Sequence, residues 1–234
     1  MKKLISILIT GSFIAVILVR TVFATTLEVN YNINNLMENI LEESIKHPEV
    51  VMSSNPYKYI ENNEYYDSLV EIGTEAIPIM IKDIKNSEEN GLREYILAIA
   101  VEEISKTNLK KISSYETLDY DKGWSNAKAF AEKWTQHLHS IPSEVNNIVQ
   151  AKNKTDEDKI NELVSLGTPA IPYILDKIQE GNNYIYPSLD ELLKNSKNKK
   201  INSIQSNDNN KYNELAKTTI SEFDILRNMV EKEQ

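Results

Sequence analysis

The chain has 234 residues, a length typical of one domain or two small ones, and its 41% hydrophobic and 26% charged residues are typical of a globular protein. It contains no cysteine and only three histidines, which excludes disulfide scaffolds, cysteine nucleophiles and zinc sites built on thiolates. A formal net charge of −9 is unfavourable for binding to nucleic acid.

The N-terminal residues indicate export. Two lysines precede an uncharged segment, residues 4–19, and Arg20 follows it. The small residues that follow predict a secretory signal peptide, residues 1–24, cleaved between Ala24 and Thr25. The alternative is an uncleaved anchor, although sixteen uncharged residues are fewer than the about 18–20 that span a bilayer. In both cases we expect an extracytoplasmic protein, either secreted or tethered to the membrane.

The next predicted element is an amphipathic helix over residues 32–46, because apolar residues recur there every three or four positions. Beyond it, residues 69–78 and 163–172 share seven of ten residues at an offset of 94 positions. Identity of this kind predicts an internal duplication. The repeat units extend over about residues 56–110 and 155–194 of a helical domain that covers residues 25–194.

Each copy of the shared segment predicts a tight corner between two helices. The corner residues form three equivalent pairs: Gly73 and Gly167, Thr74 and Thr168, and Pro78 and Pro172. The glycine suits the left-handed conformation that ends a helix, and the threonine is predicted to cap the helix that follows. The proline falls in the first turn of that second helix, where its missing N–H costs little.

The rest of the chain is also predicted to be helical, since no segment alternates with a period of two. The segments are, in chain order, helices over residues 92–106, 125–139 and 143–152, a polar linker over residues 195–210, and a C-terminal amphipathic helix within residues 211–234. The predicted fold class is therefore all-α.

The corner segments resemble HEAT-like repeats, the helix pairs of armadillo-type α-solenoids. The residues that carry this resemblance are Leu69, Val70, Gly73, Ala76, Ile77 and Pro78, and their equivalents Leu163, Val164, Gly167, Ala170, Ile171 and Pro172. The resemblance implies a right-handed-solenoid-like stack of helix pairs or triplets, built from two copies of a HEAT-like unit and completed by the C-terminal helix. The offset of 94 is about twice the roughly 40–47 residues of a HEAT repeat, so each unit has extra helices or a degenerate repeat lies between them.

A second resemblance concerns residues 53–60, residues 91–96 and the region around Trp124 and Trp134. These segments look like exported modules of Gram-positive bacteria, some of which accompany β-lactam-sensing membrane metallopeptidases. The resemblance implies an extracytoplasmic sensing or protein-contact module, and it brings no catalytic residues with it.

Residues with catalytic or metal-binding chemistry are sparse. His137 and His139 leave a helix about 200° apart and are not expected to share a metal. Asp119 and Asp121 resemble the start of a calcium loop that lacks its later ligands. Adjacent glutamates, such as those at positions 102 and 103, are interpreted as solvated helix faces. We predict no catalytic, cofactor-binding or metal-ligating residues.

Aromatic residues supply the remaining candidates for a binding surface. Trp124, Tyr184 and Tyr186 are of the types favoured at such surfaces, but packing in the core is the alternative for each.

Three hypotheses of function follow from these observations. The first is a non-enzymatic exported module that binds another envelope protein, because solenoid-type stacks expose extended grooves. The second is a cell-wall or carbohydrate binder, and the third is an unrecognised hydrolase with a pocket of converging carboxylates. No nucleic-acid partner is expected, and the membrane is contacted only through residues 1–24 if they are not cleaved.

Overall fold

The computed structural model describes residues 26–109, 124–194 and 220–233, and every regular element in these ranges is helical. The helices are α1 (residues 26–45), α2 (Pro48–Val51), α3 (Tyr57–Ile60), α4 (Glu64–Glu71), α5 (Ile77–Asn86), α6 (Leu92–Ser105), α7 (Ala127–Gln150), α8 (Asp156–Ser165), α9 (Ile171–Gln179), α10 (Tyr186–Leu193) and α11 (Ile220–Glu231). The all-α prediction is confirmed for these ranges. The predicted signal peptide, the Ala24–Thr25 cleavage site, the linker and the start of the C-terminal helix lie outside the described residues.

Helix α7 contacts both of the segments that share the corner sequence. It packs against α5 and α6 of the first segment and against α8 and α9 of the second. Its apolar face, which includes Phe130, Trp134 and Ile141, is buried in a single hydrophobic cluster with residues of both segments.

The prediction of two helices over residues 125–139 and 143–152 is wrong, because α7 continues through Pro142. A proline inside a helix leaves the carbonyl four residues earlier without its N–H partner and costs about 3 kcal/mol. Apolar residues on the same face are buried on both sides of this position, among them Leu138 and Val145. Burial of two such side chains contributes about 3–6 kcal/mol, which offsets the cost of the proline.

The two corners adopt the same succession of conformations. Gly73 and Gly167 have φ angles of 80° and 77°, in the left-handed region. Gly73 is the first residue of a short 3-10 turn and Gly167 directly precedes one, and each turn leads into a helix with proline in its first turn. The glycine and proline predictions therefore agree with the backbone at both corners.

The predicted threonine caps are wrong at both corners. Thr74 and Thr168 lie inside the 3-10 turns, and the residue before α5 or α9 is an alanine in helical conformation. A capping side chain acts from an extended residue at the start of a helix. Because the 3-10 turn makes the chain helical before α5 and α9 begin, neither threonine occupies that position.

Helix α11 packs against its own chain, which the sequence left undecided. It contacts α7, α9 and the 3-10 turns of both corners. Its buried side chains include Phe223, Leu226 and Val230. The C-terminal helix therefore connects the two related segments on the side where their corners lie.

None of the helices in the described ranges has both the length and the apolar character needed to cross a bilayer.

Candidate functional site

The structure corrects the prediction that Trp124 belongs to a binding surface. Only 5% of this residue is exposed, and its ring centroid lies 4.7 Å from that of Tyr95 and 5.2 Å from that of Phe130. Its indole N–H donates a hydrogen bond of 3.1 Å to Glu102 Oε1. Trp124 therefore packs between α6 and the start of α7, where an aromatic ring and a polar partner for its N–H are both provided.

The two tyrosines predicted at the surface are half-buried. The Tyr184 hydroxyl donates a hydrogen bond of 3.0 Å to the Val149 carbonyl and accepts one of 3.3 Å from Lys159 Nζ. Tyr186 begins α10 and packs against the core cluster. These contacts explain the positions of both rings by packing, and a binding role for either residue stays a prediction.

The two histidines of α7 make separate contacts. His137 Nε2 lies 2.9 Å from the Leu166 carbonyl, and burial lowers the pKa of His137. His139 Nδ1 lies 3.0 Å from the Glu233 carbonyl. The ranges that the structure describes hold no group of three or more side chains able to bind a metal, and the Asp119–Asp121 segment is outside them.

The glutamates at the end of α6 are not simply solvated, contrary to the prediction. Glu102 is half-buried and accepts hydrogen bonds from the Trp124 indole and from the Leu109 amide, the latter at 2.7 Å. Glu103 Oε2 accepts a bond of 2.9 Å from the Tyr66 hydroxyl. Burial, reinforced by the Glu103 carboxylate, raises the pKa of Tyr66. Because neighbouring elements pack around α6, the carboxylates of its last turn accept hydrogen bonds from residues outside the helix. Helical periodicity alone does not reveal such contacts.

A surface near the start of the described chain carries an unusual set of side chains. The large hydrophobic residues that are exposed in the described ranges are Leu27, Tyr31, Ile45, Val51, Met52 and Tyr57. We call this set the N-terminal apolar surface. Met52 is 88% exposed, Ile45 71% and Tyr31 67%, and no large hydrophobic residue elsewhere in the described ranges is exposed to this degree.

Three of these residues share one face of α1. At about 100° per residue, Leu27, Tyr31 and Ile45 leave the helix within about 40° of each other and span about 27 Å along its axis. The opposite face buries Ile33 and Met37 in the core. Ile45 lies at the end of α1, directly before α2 and the exposed Met52, so the surface continues from one helix into the next.

The charges around the N-terminal apolar surface are mostly acidic. The exposed carboxylates on α1 and α2 are those of Glu28, Glu38, Glu42 and Glu49. The nearby lysines are paired, Lys46 with Glu43 and Lys58 with Glu61, each at 2.6 Å. At about 100° per residue, Glu38 and Glu42 leave α1 on the same face as Tyr31 and Ile45 and lie between them, so the apolar side chains alternate with carboxylates.

Sequence reasoning missed this surface. The predicted helix over residues 32–46 began after Leu27 and Tyr31, and the apolar stripe assigned to it included Ile45, which is exposed. The available signal was the presence of apolar residues on both sides of a helix whose other positions are polar.

A scan against protein-family models, a search of curated proteins and a search of solved structures found no match to the chain. Its function is therefore inferred from its own residues.

Proposed function

We propose that this chain is an exported, non-enzymatic helical module of the bacterial cell envelope that binds another protein through the N-terminal apolar surface. The observation that supports the proposal most directly is that, among the residues whose exposure the structure describes, the exposed large hydrophobic ones all fall in one stretch, residues 27–57. Large exposed apolar side chains that are grouped in one part of a protein mark interaction sites.

The types of residue on this surface also suit a protein partner. Tyrosine and methionine are enriched at protein interfaces, and methionine adapts its shape to an opposing surface. The carboxylates among these apolar side chains favour a partner whose contact face combines apolar and basic residues. Since α1 follows the predicted export signal closely, a tethered chain would present this surface near the membrane.

The proposed architecture is a short stack of two HEAT-like units. Its support is the shared corner sequence, together with the matching glycine, 3-10 turn and proline conformations at both corners. In this proposal α7 takes the place of the helices expected between the units, and α11 joins their corners.

Affinity capture tests the proposed function. The full chain would be immobilised and exposed to solubilised envelope extract, with purified cell wall as a parallel arm. Met52→Glu and Tyr31→Glu place a charge on the apolar surface. Gln179→Glu adds the same charge at the exposed end of α9 and is the matched control.

We expect one protein to be retained stoichiometrically by the wild type and the control and to be lost from both surface variants. Retention that survives Met52→Glu and Tyr31→Glu would place the partner elsewhere on the chain. Retention on cell wall alone would favour the carbohydrate-binding alternative. No retention in either arm would overturn the proposal and make a screen for hydrolase activity the next step.

A further inference from the structure

A pocket opens between α5, α7 and α11, on the side of the molecule where α11 packs. Its volume is about 520 Å³, within the roughly 300–1,000 Å³ of small-molecule sites. Apolar side chains that line it include Ile81, Leu138 and Met229. The pocket therefore has room for a small ligand, and these three side chains, each at most 8% exposed, form its floor.

The polar lining of this pocket is basic, although the chain as a whole is acidic. Lys82, Lys85 and Lys232 line it, with Glu233 as the accompanying carboxylate. Lys82 and Lys232 are exposed and form no ion pair within the ranges that the structure describes. The pocket thus carries two lysines without an ion-pair partner among the described residues, in a chain whose formal net charge is −9.

One carboxylate already lies in the pocket. Glu233 Oε1 lies 3.4 Å from Lys85 Nζ, which also donates a hydrogen bond of 2.9 Å to Thr135 Oγ1. The chain's own carboxylate therefore shows that an acidic group fits beside Lys85, one turn of α5 from Lys82. The remaining two ammonium groups are available to a second one.

From this combination we propose that the pocket between α5, α7 and α11 binds a small amphipathic carboxylate. The apolar chain of the ligand lies against Ile81, Leu138 and Met229, and its carboxylate pairs with Lys82 and Lys232. This site is separate from the N-terminal apolar surface and does not depend on the protein-binding function.

Methionine methyl groups report on both places at once. Met229 lines the pocket, whereas Met52 is the most exposed residue of the N-terminal apolar surface. The full chain, labelled at its methionine methyl carbons, would be titrated with decanoate and observed by NMR. Decylammonium, which has a similar chain and the opposite charge, is the control ligand.

We expect decanoate to shift the Met229 methyl resonance saturably and to leave that of Met52 in place. Lys82→Glu and Lys232→Glu, at exposed positions, should each weaken the affinity by about tenfold, since each removes a charge-assisted contact. Lys58→Glu, on α3, should leave it unchanged. A Met52 shift without a Met229 shift, no shift at either methyl, or equal binding of decylammonium would overturn the proposal.

Discussion

Arg227 on α11 holds the carboxylate of Asp176 on α9, with its Nη2 atom 2.9 Å from one oxygen and 3.0 Å from the other. The same nitrogen donates a hydrogen bond of 3.2 Å to the Pro172 carbonyl, and the guanidinium lies 5.2 Å from the centre of the Tyr173 ring. One side chain thus joins the C-terminal helix to the second corner.

We expect Arg227→Ala to lower the free energy of unfolding by about 1–2 kcal/mol, because it removes the ion pair, the carbonyl bond and the ring contact together. The ion pair itself is partly exposed, so a double-mutant cycle with Asp176→Ala should give a coupling of about 0.5–1 kcal/mol. Urea unfolding of the four proteins measures both quantities. A coupling near zero would show that the contacts with Pro172 and Tyr173, and not the carboxylate, hold the arginine.

The two corner glycines should respond differently to substitution by alanine. A Cβ atom on Gly167 would lie 2.5 Å from the Ser105 carbonyl oxygen and 2.6 Å from the Thr107 side chain, whereas one on Gly73 meets nothing within 4 Å. Both positions have positive φ, which costs about 1 kcal/mol for alanine. We expect Gly73→Ala to destabilise by about that amount and Gly167→Ala by about 2–4 kcal/mol, since the second also forces a backbone to move. Equal losses in urea unfolding would contradict this packing.

Thr168 offers a site for stabilisation. Its hydroxyl is buried without a hydrogen-bond partner among the described residues, and a buried unpaired polar group costs about 1–3 kcal/mol. We expect Thr168→Val, which has nearly the same shape, to raise the free energy of unfolding by about 1 kcal/mol. Thr74→Val, at the half-buried equivalent position, should change it by less than about 0.5 kcal/mol. A loss of stability at position 168 would show that the hydroxyl has a partner after all.

His137 should make stability depend on pH. Burial lowers its pKa in the folded state, so the unfolded chain binds more protons near its ordinary value of about 6.5. The free energy of unfolding should therefore fall as pH decreases from about 7.5 to 5.5. His137→Gln keeps a donor for the Leu166 carbonyl but does not titrate, so its stability should fall less over the same range. An identical fall in the variant would assign the effect to other groups.

Local signals in the sequence were sufficient where the backbone itself decides the structure. The left-handed glycines and first-turn prolines of both corners were predicted, because φ preferences depend on the residue and its neighbours alone. The helix predicted over residues 92–106 is present as α6, and its central apolar run is buried, since a helix that is apolar on all sides has no face to present to water.

Features that depend on distant partners were not predicted. Trp124, which precedes α7, is buried because Tyr95 and Glu102 on α6 contact its ring and accept a hydrogen bond from its N–H, respectively. Pro142 is tolerated because the tertiary core buries α7 on both sides of it. The exposure of Met52 is visible only after the rest of the chain has been packed.

The sequence by itself determined the helical class, the equivalent corners and the absence of cysteine chemistry, which follow from composition and from short-range periodicity. Only the tertiary structure decided that α11 crosses both corners, that the predicted aromatic residues are core or half-buried, and that three lysines line one pocket with apolar walls. Burial and ion pairing depend on residues that are far apart in the chain, such as Asp176 and Arg227. A local sequence pattern therefore does not predict them.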